Sequence, residues 1–290
     1  MLVACVLKQG KKAVRTFSTM TEDLLRLLDW LTQEGCTHVA IESTGVYWRP
    51  VFNILEGAMD VILTNARDAQ GYKARKTDVI DAEWLADLLR HGLLKPSFIP
   101  PRPIRELREL TRYRESLVRE QTALANRIQK LIESANIKLG QVASDALGVS
   151  GKLMLRALAA GETDAEKMSH LARRTLKRKP PQLQQALEGR FTQAQRWILG
   201  QLLDQYDHVE AALQRAEEPI KPEGENRADP FGPEAIPLLD TIPGGGETVA
   251  QIIIAEIGVD MTRFPTATHL VLRFINSVEV TCDVLQSSRR

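Results

Sequence analysis

The sequence is poor in cysteine. Only Cys5, Cys36 and Cys282 occur among 290 residues, and no two of them have the C-x-x-C spacing of a zinc or redox motif. We therefore expect neither a disulfide framework nor a zinc site, and this usage suits the reducing cytoplasm.

The sequence also has no long apolar run and almost no net charge. No apolar run approaches the roughly 20 residues of a transmembrane helix. The short run at residues 1–7 is followed by lysines, which does not fit a signal peptide. We expect no membrane partner. Because the formal net charge is +1, only local patches can indicate nucleic-acid binding.

The first hundred residues alternate between strand-like and helix-like segments. This order predicts an α/β domain with a partly parallel sheet. The predicted elements are a hairpin of residues 2–7 and 13–17, a helix from Thr21 that Gly35 ends, a strand at 38–42, a helix at 46–55, a strand at 60–64 and a helix beginning at Asp78.

Three acidic residues are candidate metal ligands. Asp78 and Asp81 are three apart, so a helix places both carboxylates on one face, an arrangement that suits Mg²⁺. Alternatively, Asp78 caps the helix and Asp81 is a solvated acid in its first turn. Glu42 ends a predicted parallel strand, where open α/β sheets hold ligands. It could instead cap the next helix or pair with Arg49.

A long helix is predicted over residues 104–136, after the proline-rich linker at 100–103. Its apolar residues, among them Ile104, Tyr113 and Leu131, step by threes, fours and sevens, which suits a coiled-coil or hairpin seam. Arginines interleaved with glutamates crowd its first half. They form either an ion-paired solvated face or a surface that tracks phosphates. The candidate nucleic-acid-binding residues here are Arg102, Arg105, Arg108 and Arg112.

Residues 141–216 are predicted to be mostly helical, with helices at 152–160 and 182–216. Between them lies a basic run at 173–179 that contains no acid and ends at two prolines. It is the strongest local indication of nucleic-acid contact, although a plain solvated loop is the alternative. Its candidate binding residues are Arg173, Arg174, Lys177, Arg178 and Lys179.

The last segment begins at Ile236, after a proline-rich linker. A glycine-containing turn at 240–247 precedes an apolar helix at 248–257. Such a turn can offer backbone amides to a phosphate, but glycines between helices usually only make the turn.

Three motifs carry a family resemblance. The sequences AIESTGVYW at 40–48, KTDVIDA at 76–82 and DTIPG at 240–244 resemble those of the DEDD transposases of insertion sequences, which include the Piv DNA invertase and use a bridge RNA. The resemblance covers about residues 1–270. It implies a RuvC/RNase H-like first domain whose four acids bind Mg²⁺, with Glu42 matching the second, Asp78 the third and Asp81 the fourth.

Two parts of the family pattern have no match. In the family, the first of the four acids lies on a central strand, upstream of the segment that residues 2–7 resemble. Without that strand, the hairpin of this chain is expected to expose unpaired backbone edges. The serine motif of the second catalytic domain is also missing, and the tail from about residue 271 resembles nothing in the family. Ser277, Ser287 and Ser288 lie in the wrong context, so no nucleophile is assigned. We expect a copy truncated at both ends, with a frameshift as one explanation of the tail.

These observations predict three modules and a function. The modules are an RuvC/RNase H-like domain at 1–100 that lacks its first strand, a long α-helical coiled-coil insertion at 101–216 and, after a linker at 217–235, a partial α-helical C-terminal transposase domain at 236–290. The resemblance implies a transposase that cuts and rejoins DNA with Mg²⁺ and a guide RNA and self-associates through the long helices. This copy is expected to be catalytically defective. The alternatives are a non-catalytic nucleic-acid-binding remnant and an RuvC-like junction nuclease acting through the acids alone.

Overall fold

The computed structural model describes residues 1–8, 11–43, 45–65, 77–220 and 235–271. The chain divides into two units, Met1–Pro100 and Pro101–Arg290. Among the helices in the described ranges, none combines the length and the apolar character needed to cross a membrane. Lys76, the three tail serines and Cys282 lie outside the described residues.

The strands of the first unit form two separate ladders. Strands β1 (Leu2–Lys8) and β2 (Lys11–Phe17) make an antiparallel hairpin, with Leu2 opposite Phe17. Strands β3 (His38–Glu42) and β4 (Asp60–Thr64) pair in parallel, with His38 opposite Asp60. Within the described residues no ladder joins the two pairs. The predicted order of elements is therefore correct, and the parallel pairing that we predicted is present in β3 and β4, in a ladder separate from the hairpin.

Helices cover these strands. Helix α1 (Thr21–Gln33) ends at Gly35, whose φ of +70° suits glycine. It is followed by α2 (Trp48–Leu55) and α3 (Asp78–Arg90). The leucines of α1 recur at helical spacing and form one apolar face. This face packs with α2 and β1 in a core that contains Leu24, Leu27, Trp30, Leu31, Val51, Leu55 and Val6.

The second unit is built on two long helices. Its helices are α4 (Arg102–Ser134), α5 (Leu139–Val142), α6 (Val149–Ala159), α7 (Ala165–Ser169), α8 (Pro180–Leu187), α9 (Gln193–Glu217), α10 (Ala235–Asp240) and α11 (Glu247–Ile257). Leu117 and Leu124 of α4 pack with Val209 and Ala216 in the second half of α9. Ile128 and Ile132, nearer the end of α4, share a core with Leu199 and Leu203 in the first half of α9. Helices α4 and α9 are therefore antiparallel.

This pairing corrects two details of the predicted helices. Tyr113, predicted to lie in the seam, is 55% exposed, and Thr111 is buried instead. The predicted helix at 182–216 is two helices with a break at 188–192. A Cβ atom on Gly189 would lie 2.5 Å from the carbonyl oxygen of Ala135, so glycine permits a close chain approach at the break. Helix α9 then starts with a capping box between Thr192 and Gln195.

Candidate nucleic-acid interface and acidic site

Asp78 and Asp81 lie in the first turn of α3, as the sequence predicts. Asp78 is exposed and Asp81 is partly buried. The residue that caps the helix is Thr77, whose hydroxyl accepts a hydrogen bond from the Ile80 N–H at 3.4 Å. The alternative in which Asp78 is the cap is therefore wrong. Both carboxylates lie at the positive end of the helix, where negative charge is stabilising.

Glu42 is the last residue of β3 and is exposed. The strand ends beside β4, where the Ser43 N–H donates to the Thr64 carbonyl at 2.8 Å. Carboxylate oxygens are suitable donors for Mg²⁺. However, within the described ranges no group of three His, Cys, Asp or Glu residues is placed to hold a metal ion. The donor chemistry fits Mg²⁺ but the arrangement does not, so the metal site formed by Glu42, Asp78 and Asp81 stays a prediction.

Residues 173–179, which we call the basic segment, present five exposed cationic side chains. A short 3-10 helix at Arg174–Arg178 shapes the segment. Its start is fixed by buried Ser150, whose hydroxyl accepts from the Arg173 N–H at 2.8 Å and donates to the Arg173 carbonyl at 3.2 Å. Leu176 packs on the core of the helical region. The backbone is therefore anchored while the charges point to solvent.

The five cations of the basic segment are Arg173, Arg174, Lys177, Arg178 and Lys179. None of them has an ion-pair partner among the described residues. Cations without protein partners remain available for phosphates. The structure thus gives the basic segment the exposure that the nucleic-acid prediction requires.

The arginines of α4 differ, because two of them bind the last turn of α11. Arg108 donates to the carbonyls of Ala255 and Glu256, at 2.8 and 2.9 Å. Arg112 makes a bidentate contact with the Glu256 carboxylate, at 2.7 and 2.9 Å. Glu256 is only 4% exposed. These bonds satisfy helix-terminal carbonyls and a buried carboxylate, so for Arg108 and Arg112 the contacts favour the ion-paired alternative.

Arg102 and Arg105 are also engaged within the chain. Arg102 pairs with Glu106 at 2.8 Å on an exposed face of α4. Arg105 likewise has an interaction partner. An exposed pair one helical turn apart is weak, so Arg102 can exchange its partner for a phosphate at little cost.

Two family models match the chain. One, for DEDD transposases of the IS110 type, matches residues 2–137, and the other, for transposases of the IS116/IS110/IS902 family, matches residues 236–272. The chain belongs to the IS110-type transposases. No curated protein matches it.

The matched segments of this transposase contain different candidate residues. The first includes Glu42, Asp78 and Asp81 together with the α4 arginines, and the second includes Glu256. The basic segment lies between the two matched segments. Its assignment to nucleic acid therefore depends on its own exposure and charge.

The glycine turn of the second matched segment joins α10 to α11. Gly244 has a φ of +83°, and the Gly245 N–H donates to the Ile242 carbonyl at 2.8 Å. Glycine is needed at the first position for its backbone conformation. The contacts are those of a helix–turn–helix connection, and the phosphate role stays a prediction.

The sequence analysis missed an ion-pair cluster between α6 and α9 of this transposase. Lys152 bonds Asp207 and Glu210 at 3.1 and 2.6 Å, and Arg156 bonds Asp207 at 2.7 Å and also Asp204. Burial alone would raise the pKa of Asp207, but hydrogen bonds from Arg156 and Lys152 outweigh it and lower that pKa. The only sequence signal is charge at helical spacing on each helix, which does not reveal the partner.

Proposed function

We propose that this transposase-family chain binds DNA and a guide RNA during transposition of an insertion sequence, and that the basic segment is its main phosphate-binding surface. The observation that carries the proposal is the exposure of five cations on one anchored segment, for which the described residues provide no acidic partner. Arginine guanidinium groups match phosphate oxygens bidentately, and lysines add point charges. These contacts bind the nucleic-acid backbone without reading bases.

Salt dependence gives this proposal a magnitude. Each phosphate neutralised on duplex DNA contributes about −0.9 to the slope of log affinity against log salt concentration. If all five cations of the basic segment engage phosphates, the slope is about −4.5. Raising the salt threefold should then weaken binding by on the order of 100-fold.

A charge-removal experiment tests the proposal. In the double variant Lys177→Gln/Arg178→Gln the slope should be less negative by about 1.8, because two phosphate contacts are lost. The measurement is fluorescence anisotropy of labelled duplex DNA, and separately of single-stranded RNA, over a range of salt concentrations. The matched control is Arg26→Gln/Arg119→Gln, which removes two exposed arginines that pair with glutamates one turn away. Equal slopes for the two double variants would refute the assignment.

We further propose that this chain binds nucleic acid without cleaving it in a metal-dependent reaction. Support comes from the arrangement of the three acids, which do not converge among the described residues. We assign no step to Mg²⁺. Titration calorimetry with Mg²⁺ should show no difference between the native chain and Asp78→Asn/Asp81→Asn. A tenfold or larger difference in Kd, or Mg²⁺-dependent nicking of supercoiled DNA that the variant lacks, would overturn this part and leave the basic segment unaffected.

A further inference from the structure

The four tryptophans of this transposase differ in their surroundings. Trp30 is buried in the core of the first unit, Trp48 makes an edge contact with a phenylalanine ring, and Trp84 has an interaction partner. Trp197 of α9 is 69% exposed, and within the described ranges its ring has no hydrogen-bonding, aromatic or cationic partner. Packing within the chain therefore does not account for the position of this side chain.

The start of α9 is held on two sides. The Gln195 amide donates to the Ser134 hydroxyl of α4 at 3.3 Å, and Arg196 donates to two carbonyls at and just beyond the end of α6, at 3.1 and 3.3 Å. Successive residues of an α-helix are rotated by about 100°. Trp197 and Ile198, which is 41% exposed, therefore occupy the arc that neither α4 nor α6 covers.

Two exposed cations of α4 border this arc. Arg127, Lys130 and Ser134 are three and four positions apart, so they lie on one face of α4. Ser134 contacts the first turn of α9, which places this face beside the start of that helix. Because α4 and α9 are antiparallel, Lys130 lies one turn away from the contact in the same direction as Ile198. The two cations are therefore next to the exposed apolar arc.

Arg190 is a third exposed cation at the same end of the helices. Its N–H donates to the Ala135 carbonyl at 3.1 Å, and it lies two residues before the residue that caps α9. None of the side chains of Arg127, Lys130 and Arg190 has a partner among the described residues. These cations therefore remain available for an external ligand.

The local acids do not neutralise these cations. Over residues 127–134 and 188–200 the carboxylates are Glu133, which pairs with Lys138, and Glu188, which is exposed. Three partnerless cations therefore stand against one partnerless carboxylate within these two segments, so the surface has a positive net charge. Such a surface favours an anionic ligand.

An exposed aromatic ring beside partnerless cations suits a single strand of nucleic acid. An unpaired base can stack on the ring while the neighbouring phosphates contact the cations. In a duplex the bases are stacked on one another, so the phosphate backbone is what such a surface would bind. The indole therefore distinguishes this surface from the basic segment, which contributes cations alone.

We propose that this surface, which we call the stacking patch, binds an unpaired segment of RNA or DNA. It consists of Trp197, on which a base stacks, the adjacent Ile198, and the phosphate-binding cations Arg127, Lys130 and Arg190. The inference rests on the proposed function and adds a single-strand site to it. Helix α8, about 12 Å long, begins directly after the basic segment and ends three residues before Arg190. The two surfaces are therefore close enough to contact one nucleic-acid molecule.

Substitution of Trp197 tests the stacking. The probes are labelled oligouridine, oligothymidine and duplex DNA, and anisotropy gives the affinity of the full chain for each. We expect Trp197→Leu to weaken binding of both single strands about tenfold and Trp197→Phe, which keeps a smaller ring, about threefold. Duplex affinity should stay within about twofold. The matched control is Tyr113→Leu, which removes an exposed aromatic ring from the first half of α4 and should change none of the three affinities.

Two further measurements test the geometry. Bound oligouridine should quench the fluorescence of the native chain, and the quenching should be largely absent in Trp197→Phe, which keeps the other three tryptophans. On single strands each phosphate contact contributes about −0.7 to the slope of log affinity against log salt concentration. In Arg127→Gln/Lys130→Gln the slope for oligouridine should therefore be less negative by about 1.4.

Several outcomes would overturn the proposal. These are unchanged single-strand affinity in Trp197→Leu, and an equal loss of affinity for single strands and duplex. A lower sedimenting mass of the free Trp197→Leu protein would show that a second copy covers the indole, and would also overturn it. An effect confined to oligouridine would support the stacking patch with RNA as its ligand, and one confined to oligothymidine would support it with DNA.

This proposal and the assignment of the basic segment fail separately. If Lys177→Gln/Arg178→Gln keeps the native salt slope on duplex DNA while Trp197→Leu weakens single-strand binding, the basic segment is wrong and the stacking patch stands. If the salt slope changes and Trp197→Leu binds single strands like the native chain, the stacking patch is wrong and the basic segment stands.

Discussion

Removing Arg112 should cost more stability than removing its partner Glu256. Glu256 is 4% exposed, whereas the Arg112 side chain is 43% exposed. In Arg112→Met the buried carboxylate keeps one cationic neighbour among the described residues, Arg108, whose Nε is 3.5 Å away. In Glu256→Met the guanidinium group that remains can be hydrated. A buried charge left without its partner costs about 3–5 kcal/mol.

The different exposure of Arg112 and Glu256 determines how much free energy of unfolding each variant is expected to lose. We expect a loss of about 3 kcal/mol in the free energy of unfolding for Arg112→Met, since Arg108 still compensates part of the charge. For Glu256→Met we expect about 1.5 kcal/mol, the order of a charged hydrogen bond. The double variant should be less destabilised than the sum of the single variants, because methionines can pack where the pair was.

The assay is urea denaturation followed by circular dichroism, with the slope of each transition compared before energies are assigned. The control is Arg119→Met on the same helix, which removes an exposed pair with Glu115 and should cost under about 1 kcal/mol. If Arg112→Met is no more destabilising than Arg119→Met, the reasoning from burial is wrong.

Other predictions concern pH and two glycines. The folded-state pKa of Asp207 is lowered, so its contribution to stability is complete above its unfolded pKa of about 3.9 and is lost as pH falls through the folded value. As the pH is lowered, the melting temperature of Asp207→Asn should therefore fall less than that of the native chain, which thermal unfolding at a series of acidic pH values measures. Gly189→Ala should cost about 2 kcal/mol or more in urea denaturation, because its Cβ would meet the Ala135 carbonyl. Gly200→Ala in α9, where a Cβ meets nothing within 4 Å, should instead stabilise by about 0.5–1 kcal/mol.

The helices and strands of the first unit could be predicted because the residues that indicate each element lie close to one another in the sequence. The strand at His38–Glu42 and the helix from Asp78 lie where the apolar pattern and the acidic first turn place them. Exposure of the basic segment also follows from local composition, since a run with five cations and no acid cannot be buried without partners.

Long-range contacts could not be read from the sequence. Arg108 and Arg112 bind residues more than 140 positions away, and nothing near them distinguishes a structural arginine from a phosphate ligand. The break before α9 depends on the close approach of Gly189 to Ala135. The division of the sheet into two ladders likewise depends on which strands meet, and strand periodicity does not specify this.

Helix α4 fixes a distance within the second unit. Near its start, Leu107 shares a core with α11, and near its end, Ile132 belongs to the core that supports the basic segment. At a rise of 1.5 Å per residue, this part of the helix is roughly 37 Å long. That length is close to one turn of duplex DNA, about 34–36 Å. Helix α4 therefore sets the distance between the basic segment and α11. A kink within α4 would change the orientation of the basic segment relative to α11 while leaving all five cations in place.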